Sequence, residues 1–510
     1  MGEKLSVIDL GSNSIRLGII EVNENNSFRI IEEKKEQVRL SEGFNKNNII
    51  QEKPTKRAIQ TLKTFKKIIE FYNVKKIIAV ATACIRNSKN GKDVLDLIFK
   101  ETFIPFKTIS EREESYYGYL GVLNTVNLKD FILIDTGGAS TEITYVLNRK
   151  IENFVSLPYG SVNLTDIFPE TKEICDTRNI ESFLIREFQN VPWLKSLKMS
   201  QLPIVGIGGS NRTFAKIHRA LHKWFSLKLH HYELTKNEVF QIYSYIASLS
   251  SKNRKNIEGL SKQRSDIILA GMAPLKVLFD ITDSNNFIVS GNGLKEGIIF
   301  SSLHKDFKAF PLIYDDILKA SLENIANLYF LDVNHAKKVT EHSLSIFDQL
   351  KPLHNFEDKD RKILEIASFL HDIGKYVDPY NHAKHGAYLI QNLPIYGISP
   401  KDLVRCSYIC LFHENKIKFQ QLPNESFITS KQFKDLIKLS MFLRLAEQLE
   451  TCECFAINSV KIKIKNSDVI FKIISNNQNY DLETEILELS KSAKLFKKLF
   501  GKDLRIVREA

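Results

Sequence analysis

The stretch Val7-Ile8-Asp9-Leu10-Gly11-Ser12-Asn13-Ser14 returns in altered form as Leu133-Ile134-Asp135-Thr136-Gly137-Gly138-Ala139-Ser140. Each copy is an apolar run that ends in an aspartate, a glycine turn and a serine. A second apolar pattern follows each turn, over Ile15–Val22 and Glu142–Leu147, so both copies predict β-hairpins rather than the strand-to-helix turn of a P-loop. Two further runs end in glycines: residues 204–210 (IVGIGGS), with a helical pattern behind them, and residues 287–293 (FIVSGNG). Helical stretches such as Thr55–Tyr72 and Asn237–Leu249 lie between. A duplicated α/β unit with facing glycine turns predicts two lobes with a ligand cleft between them. Such turns leave backbone N–H groups in the crevice, and these nests hold phosphate oxygens. Glycine is also simply a turn residue, and the competing reading is an α/β protein with many plain turns. Four turns, each capping a strand pattern, favour the cleft.

The 510 residues are 43% hydrophobic and 26% charged, as in soluble globular chains of several domains. This excludes a disordered, collagen-like or disulfide-held chain. No apolar run approaches the ~18 residues of a membrane span. Met1–Lys4 leads straight into the Leu5–Leu10 strand pattern without a signal-peptide core. Gly2 and Ser6 match a myristoylation pattern, against which stands the buried strand that begins at Leu5. A net charge of +12 points to an anionic partner without choosing among nucleic acid, membrane and phosphate. Six scattered cysteines fit a reducing, cytoplasmic setting. Cys406 with Cys410, and Cys452 with Cys454, lack C-x-x-C spacing and read as core thiols.

After residue 305 the pattern is helical to Glu450, and seven of the twelve histidines fall there. Beyond Cys454 come two strand patterns (Ser459–Lys465 and Val469–Ile474), a helix (Leu482–Leu499) and a last strand (Leu504–Val507). The expected domains are therefore lobe I (1–124), lobe II (125–305), a helical domain (306–455) and a small α/β cap (456–510).

Several side chains could carry chemistry. Asp135 and Glu142 flank the second turn, and paired carboxylates beside phosphate-cradling amides suit Mg²⁺; Asp135 could equally cap its turn. Residues 110–117 (SEREESYY) open a helix, where acids also complement the helix dipole. Arg86 follows the strand Lys76–Val80 and could reach the cleft or stand on the surface.

Six stretches occur in the order and spacing of one family: Asp9–Arg16 (DLGSNSIR), 81–86 (ATACIR), 110–117, Asp135–Glu142 (DTGGASTE), 206–212 (GIGGSNR) and 293–297 (GLKEG). Over roughly residues 5–300 the chain resembles the exopolyphosphatase/guanosine pentaphosphate phosphatase (Ppx/GppA) family. The resemblance implies two actin-like, ribonuclease-H-like α/β lobes with an interlobe cleft. It implies that Glu114 is the general base, that Asp135 and Glu142 hold Mg²⁺, and that Arg86 contacts substrate phosphates. It further implies phosphate turns at Asp9, Gly11, Ser12 and Asn13, at Gly137, Gly138 and Ser140, and at Gly208, Gly209 and Ser210, with Arg264 also on phosphate. Three positions depart from the family's pattern: Ala139 replaces a frequent glycine, Ser210 a usual threonine, and Lys295 a common arginine, which puts bidentate phosphate contact there in doubt.

The helical part looks like the longer members of that family and carries its own constellation. His335, the run 371–375 (HDIGK), His382, His385 and His413 resemble HD-type phosphohydrolases, in which His and Asp bind divalent metals that activate water. The closing R-L-A-D motif of that group appears as residues 444–447 (RLAE), so a second metal would rest on His335, His371, Asp372 and Glu447. Core histidines held by hydrogen bonds are the competing reading.

The leading expectation is a cytoplasmic, Mg²⁺-dependent, processive exopolyphosphatase, a hydrolase acting on phosphoric anhydrides. Its partner is inorganic polyphosphate in an interdomain groove extended by the helical domain. It forms a homodimer and engages neither membrane nor specific nucleic acid. One alternative is hydrolysis of guanosine pentaphosphate (pppGpp) at the same centre. Another places catalysis in the HD-like domain, and a third is a non-catalytic alarmone or nucleotide sensor. Retention of Glu114, Asp135 and Glu142 together argues against the sensor.

Overall fold

Runs of Val, Ile and Leu build the first sheet from β1 (Glu3–Leu10), β2 (Ser14–Val22), β3 (Phe28–Gln37), β4 (Lys76–Ala81) and β5 (Phe106–Thr108), in the order β3-β2-β1-β4-β5. β1, β2 and β3 pair antiparallel, whereas β4 and β5 join parallel to β1. The second sheet holds β6 (Phe131–Thr136), β7 (Thr141–Leu147), β8 (Lys150–Leu157), β9 (Ile204–Ile207), β10 (Tyr232–Thr235) and β11 (Asn286–Val289). Its order is β10-β11-β9-β6-β7-β8, so five of its strands repeat the first topology and β10 adds an antiparallel edge. This is a duplicated ribonuclease-H-like sheet, the actin-like arrangement. The computed structural model describes residues 2–44, 48–169, 177–414, 426–476 and 480–508.

The repeat extends to single hydrogen bonds. Gly11 N–H donates to the Ser14 carbonyl at 3.1 Å, and Gly137 N–H donates to the Ser140 carbonyl at 2.9 Å. Each tight turn puts residues seven apart directly opposite one another: Asp9 faces Arg16, and Asp135 faces Glu142.

The helices Glu52–Phe71 and Gly91–Thr102 lay Leu62, Phe65, Ile69 and Ile98 on Ile8, Leu10 and Leu17 of the first sheet. Each such side chain contributes about 1.5–3 kcal/mol through burial. The last helix of each repeat packs across to the other sheet. Helix Glu111–Leu123 lays Tyr119, Leu120 and Leu123 on Phe131, Leu133 and Val205. Helix Leu294–Asp306 lays Ile298, Ile299 and Leu303 on Leu5, Val7 and Ile20. Where the two helices cross, a Cβ on Gly121 would strike the Gly293 carbonyl, and one on Gly297 would strike the Tyr117 carbonyl. Only glycine permits this backbone approach.

The chain divides into two compact units: residues 1–321 with 396–399, and residues 322–395 with 400–510. The second unit is helical, with main helices Val333–Gln349, Asp358–Phe369, His382–Asn392, Pro400–Glu414 and Ser430–Gln448. It closes with a three-stranded sheet of β12 (Ile457–Ile464), β13 (Asp468–Ser475) and β14 (Asp503–Arg508), in the order β12-β13-β14. The helix expected over Leu482–Leu499 is broken at Ser492 into Glu483–Lys491 and Ala493–Phe500. Cys406 and Cys410 are buried thiols, but Cys452 and Cys454 are exposed, because they lie in the turn after Ser430–Gln448 rather than on a packed face. No helix among the described residues is long and apolar enough to cross a membrane.

Candidate active site

The two hairpin turns face each other across a cleft in the first unit. A Cβ on Gly138 would lie 3.0 Å from the Cβ of Ser12. The turns are anchored from behind. The carbonyls of Ser12 and Asn13 accept from the N–H groups of Ser41, Val38 and Arg39, and those of Gly137 and Gly138 accept from Ser161 and Val162. In a trans peptide the N–H points opposite to the carbonyl, so tying back Ser12 and Gly137 turns the Asn13 and Gly138 amides away from the anchors, toward the cleft. Ala139 takes no left-handed conformation, so the missing third glycine costs the turn nothing.

The third turn starts helix Gly208–Leu221, which has no side-chain cap. Gly208 adopts φ +84°, and its Cβ would strike Asp135 Oδ1. Gly208 and Gly209 line the cleft, so this helix start offers first-turn amides to an anion. Ser210 is buried and sits behind them, its Oγ accepting from Arg264 Nη2 at 3.3 Å. A Cβ on Gly209 would occupy the Arg264 guanidinium position.

Four carboxylates converge. Asp9, Asp135 and Glu114 line the cleft; Glu142, buried opposite Asp135, accepts from Ser156 Oγ at 2.9 Å. Residues 110–114 sort their acids by function. Ser110 caps the helix by accepting from Glu113 N–H at 3.2 Å, and the Glu113 carboxylate accepts from Ser110 N–H at 2.8 Å. Glu113 also pairs with Lys107 at 2.6 Å, and these partners hold its pKa down to about 2. Glu114, one residue and about 100° further round the helix, turns inward. Its Oε2 accepts from Arg86 Nη1 at 2.9 Å. Burial pushes the Glu114 pKa up to about 7, with Arg86 opposing and Asp135 and Asp9 adding. Burial also lifts Asp9 to about 6, against Arg16 and with Asp135. Asp135 is raised by burial, and Glu142 well above its usual range by burial and then by Glu114 and Asp135. An oxygen-only donor set under mutual repulsion suits a hard cation such as Mg²⁺, which keeps water and phosphate in its other positions.

Cations crowd the same cleft. Arg16, Lys35 and Arg264 line it. Burial, followed by the like charges of Arg16 and Arg212, lowers Arg264 to about 10, and its Nε is buried without a hydrogen-bond partner. Arg212 is likewise lowered to about 10 by burial and then by Arg16. Such a cluster calls for a polyanion. Arg86 stands behind Glu114, also donating to the Ile109 carbonyl at 2.9 Å; its Nε lies 4.0 Å from Glu111 Oε1, and its Nη2 has no hydrogen-bond partner. Lys295 lies away from this wall, paired with Glu33 and, at 2.9 Å, with Glu296. Arg16, Lys35 and Arg212 were not singled out from sequence. Arg16 was legible in the seven-residue spacing shared by Asp9–Arg16 and Asp135–Glu142; Lys35 carried no local signal.

In the second unit His335, His371 and Asp372 lie together, and Glu447 instead joins His382 and His413. Spacing along the chain does not join His382 and His413 to Glu447, since the three fall on different helices.

Residues 19–306 match the model of the Ppx/GppA phosphatase family, and residues 317–493 match that of Ppx/GppA phosphatase, domain III. A bifunctional 3-dehydroquinate synthase/phosphatase of Fusobacterium nucleatum subsp. nucleatum is 32% identical over 307 residues, 58% of this chain and 46% of that protein. The chain thus spans less than half the length of that relative. Among solved structures, a Ppx/GppA family member from Aquifex aeolicus is 28% identical with a TM-score of 0.51, covering 60% of this chain and 99% of that one. An exopolyphosphatase from Cytophaga hutchinsonii, 23% identical with a TM-score of 0.56 over 61% of this chain and all of that one, shares the fold.

Proposed function

Because the chain belongs to the Ppx/GppA phosphatase family, we propose that it is an exopolyphosphatase that releases terminal phosphate from inorganic polyphosphate with Glu114 as general base. The observation that carries this reading is the position of Glu114, whose carboxyl is 14% exposed and held by Arg86 Nη1 at 2.9 Å in a cleft walled by glycine turns and arginines, where burial pushes its pKa up to about 7. A base with that pKa is poised for proton removal near neutrality.

The terminal phosphoryl group rests between the turns at Gly11–Asn13 and Gly137–Ser140, with the first-turn amides at Gly208 and Gly209 on its oxygens. Arg264 and Arg16 neutralise the adjoining phosphates, since phosphoryl transfer needs positioning and charge stabilisation more than covalent chemistry. Glu114 takes a proton from water as its oxygen bonds to the terminal phosphorus. The bridging P–O bond breaks, and the shortened chain leaves as an anion. Arg86 holds the Glu114 carboxylate in place. Asp135 and Glu142, with Asp9 opposite, are the residues that would hold Mg²⁺, which supplies charge neutralisation on the phosphate oxygens when bound. Lys35, Arg212 and the net charge of +12 suit a long polyanion. The setting proposed is cytoplasmic and the assembly a homodimer.

The test is phosphate release from long-chain polyphosphate and from pppGpp, side by side, with Mg²⁺ and with chelator. Faster Mg²⁺-dependent release from the polymer is expected. Preference for the nucleotide would move the assignment to a pppGpp phosphohydrolase, and release from neither would overturn hydrolysis in this cleft.

A further inference from the structure

We infer that Arg39 is a positioning residue of the cleft. From the loop after β3 it clasps the turn that carries Arg264, and so sets the span between that guanidinium and the phosphate turn at Gly11–Asn13. The inference rests on the proposed reading of the cleft as a polyphosphate site.

Strand register brings Arg39 to its place. β3 sets Gln37 opposite Ser14, the residue that closes the first turn. Two residues further on, Arg39 adopts φ +46°, a left-handed conformation that a residue with a side chain keeps only where its neighbours hold it. They do so here. Its N–H donates to the Asn13 carbonyl at 3.0 Å, and its own carbonyl accepts from Glu42 N–H at 3.0 Å and from Arg57 Nη2 at 3.5 Å. The backbone of Arg39 thus belongs to the anchor behind the first turn.

Its side chain reaches across to the other lobe. Nη2 donates to the Gln263 carbonyl at 2.6 Å, while Nη1 and Nη2 donate to Asp266 Oδ2 and Oδ1 at 3.1 and 3.4 Å. Gln37 joins the same bridge, with its Nε2 3.2 Å from Asn13 Oδ1 and 3.5 Å from the Gln263 carbonyl. Gln263 and Asp266 flank Arg264, which ends the 3₁₀ turn Lys262–Arg264 and lines the cleft. A planar guanidinium that engages a carboxylate and a carbonyl together orients such a turn, as a point charge does not. The Arg39–Asp266 pair is 39% and 49% exposed, so solvent screens it and it contributes little; the carbonyl bond carries the clasp. Arg264 itself has a 3.3 Å bond from Nη2 to Ser210 Oγ and none from Nε, so the placement of its backbone decides where its guanidinium lies. Arg39 is not among the described residues that line the cleft and therefore acts through Arg264.

The test compares wild type, Arg39→Met, Arg39→Lys, Arg264→Met and the double variant Arg39→Met/Arg264→Met in the full chain. Hydrogen exchange over residues 262–268 reads the turn, equilibrium binding of labelled polyphosphate in chelator reads the cleft, and phosphate release with Mg²⁺ gives kcat. Arg39→Met is expected to speed exchange in that segment and to weaken binding about 10-fold, the effect of one hydrogen bond, with kcat within about 3-fold. Arg39→Lys keeps a donor and recovers part of the loss. In the Arg264→Met background, Arg39→Met costs less than about 2-fold, because the group it positions is gone. Unchanged exchange and binding in Arg39→Met overturn the proposal. So do losses that add in the double variant, which place Arg39 on phosphate directly, and a lowered urea midpoint with unchanged affinity, which leaves Arg39 a stabilising role alone. A wild type that neither binds nor hydrolyses polyphosphate overturns the proposed function instead, and hydrogen exchange still decides whether Arg39 holds the turn.

Discussion

Replacing Arg86 with glutamine tests how the Glu114 carboxyl is tuned. The 2.9 Å bond from Arg86 Nη1 opposes the burial that raises Glu114 to about 7. A hydrogen bond to a charged group contributes about 1.5–3 kcal/mol, and one pKa unit corresponds to about 1.4 kcal/mol. Arg86→Gln therefore moves the acid limb of kcat/KM upward by about one to two units. The sign follows from the role: a general base works deprotonated, and losing the cation favours its protonated form. At pH 7 the active fraction falls about 5- to 50-fold relative to wild type, and the two converge near pH 10 apart from any pH-independent loss of phosphate contact. The assay is phosphate release from polyphosphate at low substrate concentration between pH 5.5 and 10. Comparing limbs between variants cancels the substrate's own ionisation. An unmoved limb, with only a uniform loss of rate, would refute the coupling between Arg86 and Glu114.

Other perturbations follow from the same geometry. Asp9→Asn removes a like charge that raises Glu114, so the limb shifts the opposite way, to lower pH, in the same assay. Gly209→Ala displaces the Arg264 guanidinium; it and Arg264→Ala each raise KM, and in a double-mutant cycle their losses overlap instead of adding. Gly297→Ala drives a methyl group into the Tyr117 carbonyl at the helix crossing. It is expected to destabilise the first unit by about 1–3 kcal/mol or more, read as a lower urea midpoint with unchanged slope.

Local patterns made much of this protein legible. The hairpins at 9–16 and 135–142 could be read because strand, turn and strand are contiguous, and their duplication announced the paired lobes. Glu114 and Glu113 were adjacent and chemically equal on paper. The capping box, which claims Glu113, separates them only once the helix start at Ser110 is fixed. The exchange of helices Glu111–Leu123 and Leu294–Asp306 between sheets carried no local signal, because an apolar helix face does not by itself name the sheet it covers. The gathering of His382 and His413 beside Glu447 was hidden for the same reason: helix packing, not spacing along the chain, brings them together. Lys35 joins the cleft through the register of β3 on β2, which sets it opposite Arg16 and which the turn between Val22 and Phe28 conceals.

The central claim is that proton removal by Glu114 drives phosphate release in the cleft. Its most direct test compares wild type and Glu114→Gln in two measurements, equilibrium binding of labelled polyphosphate and the rate of phosphate release. The account predicts binding within a few-fold of wild type and release slower by about 10²–10⁴-fold. Full release by Glu114→Gln with unchanged binding would contradict it.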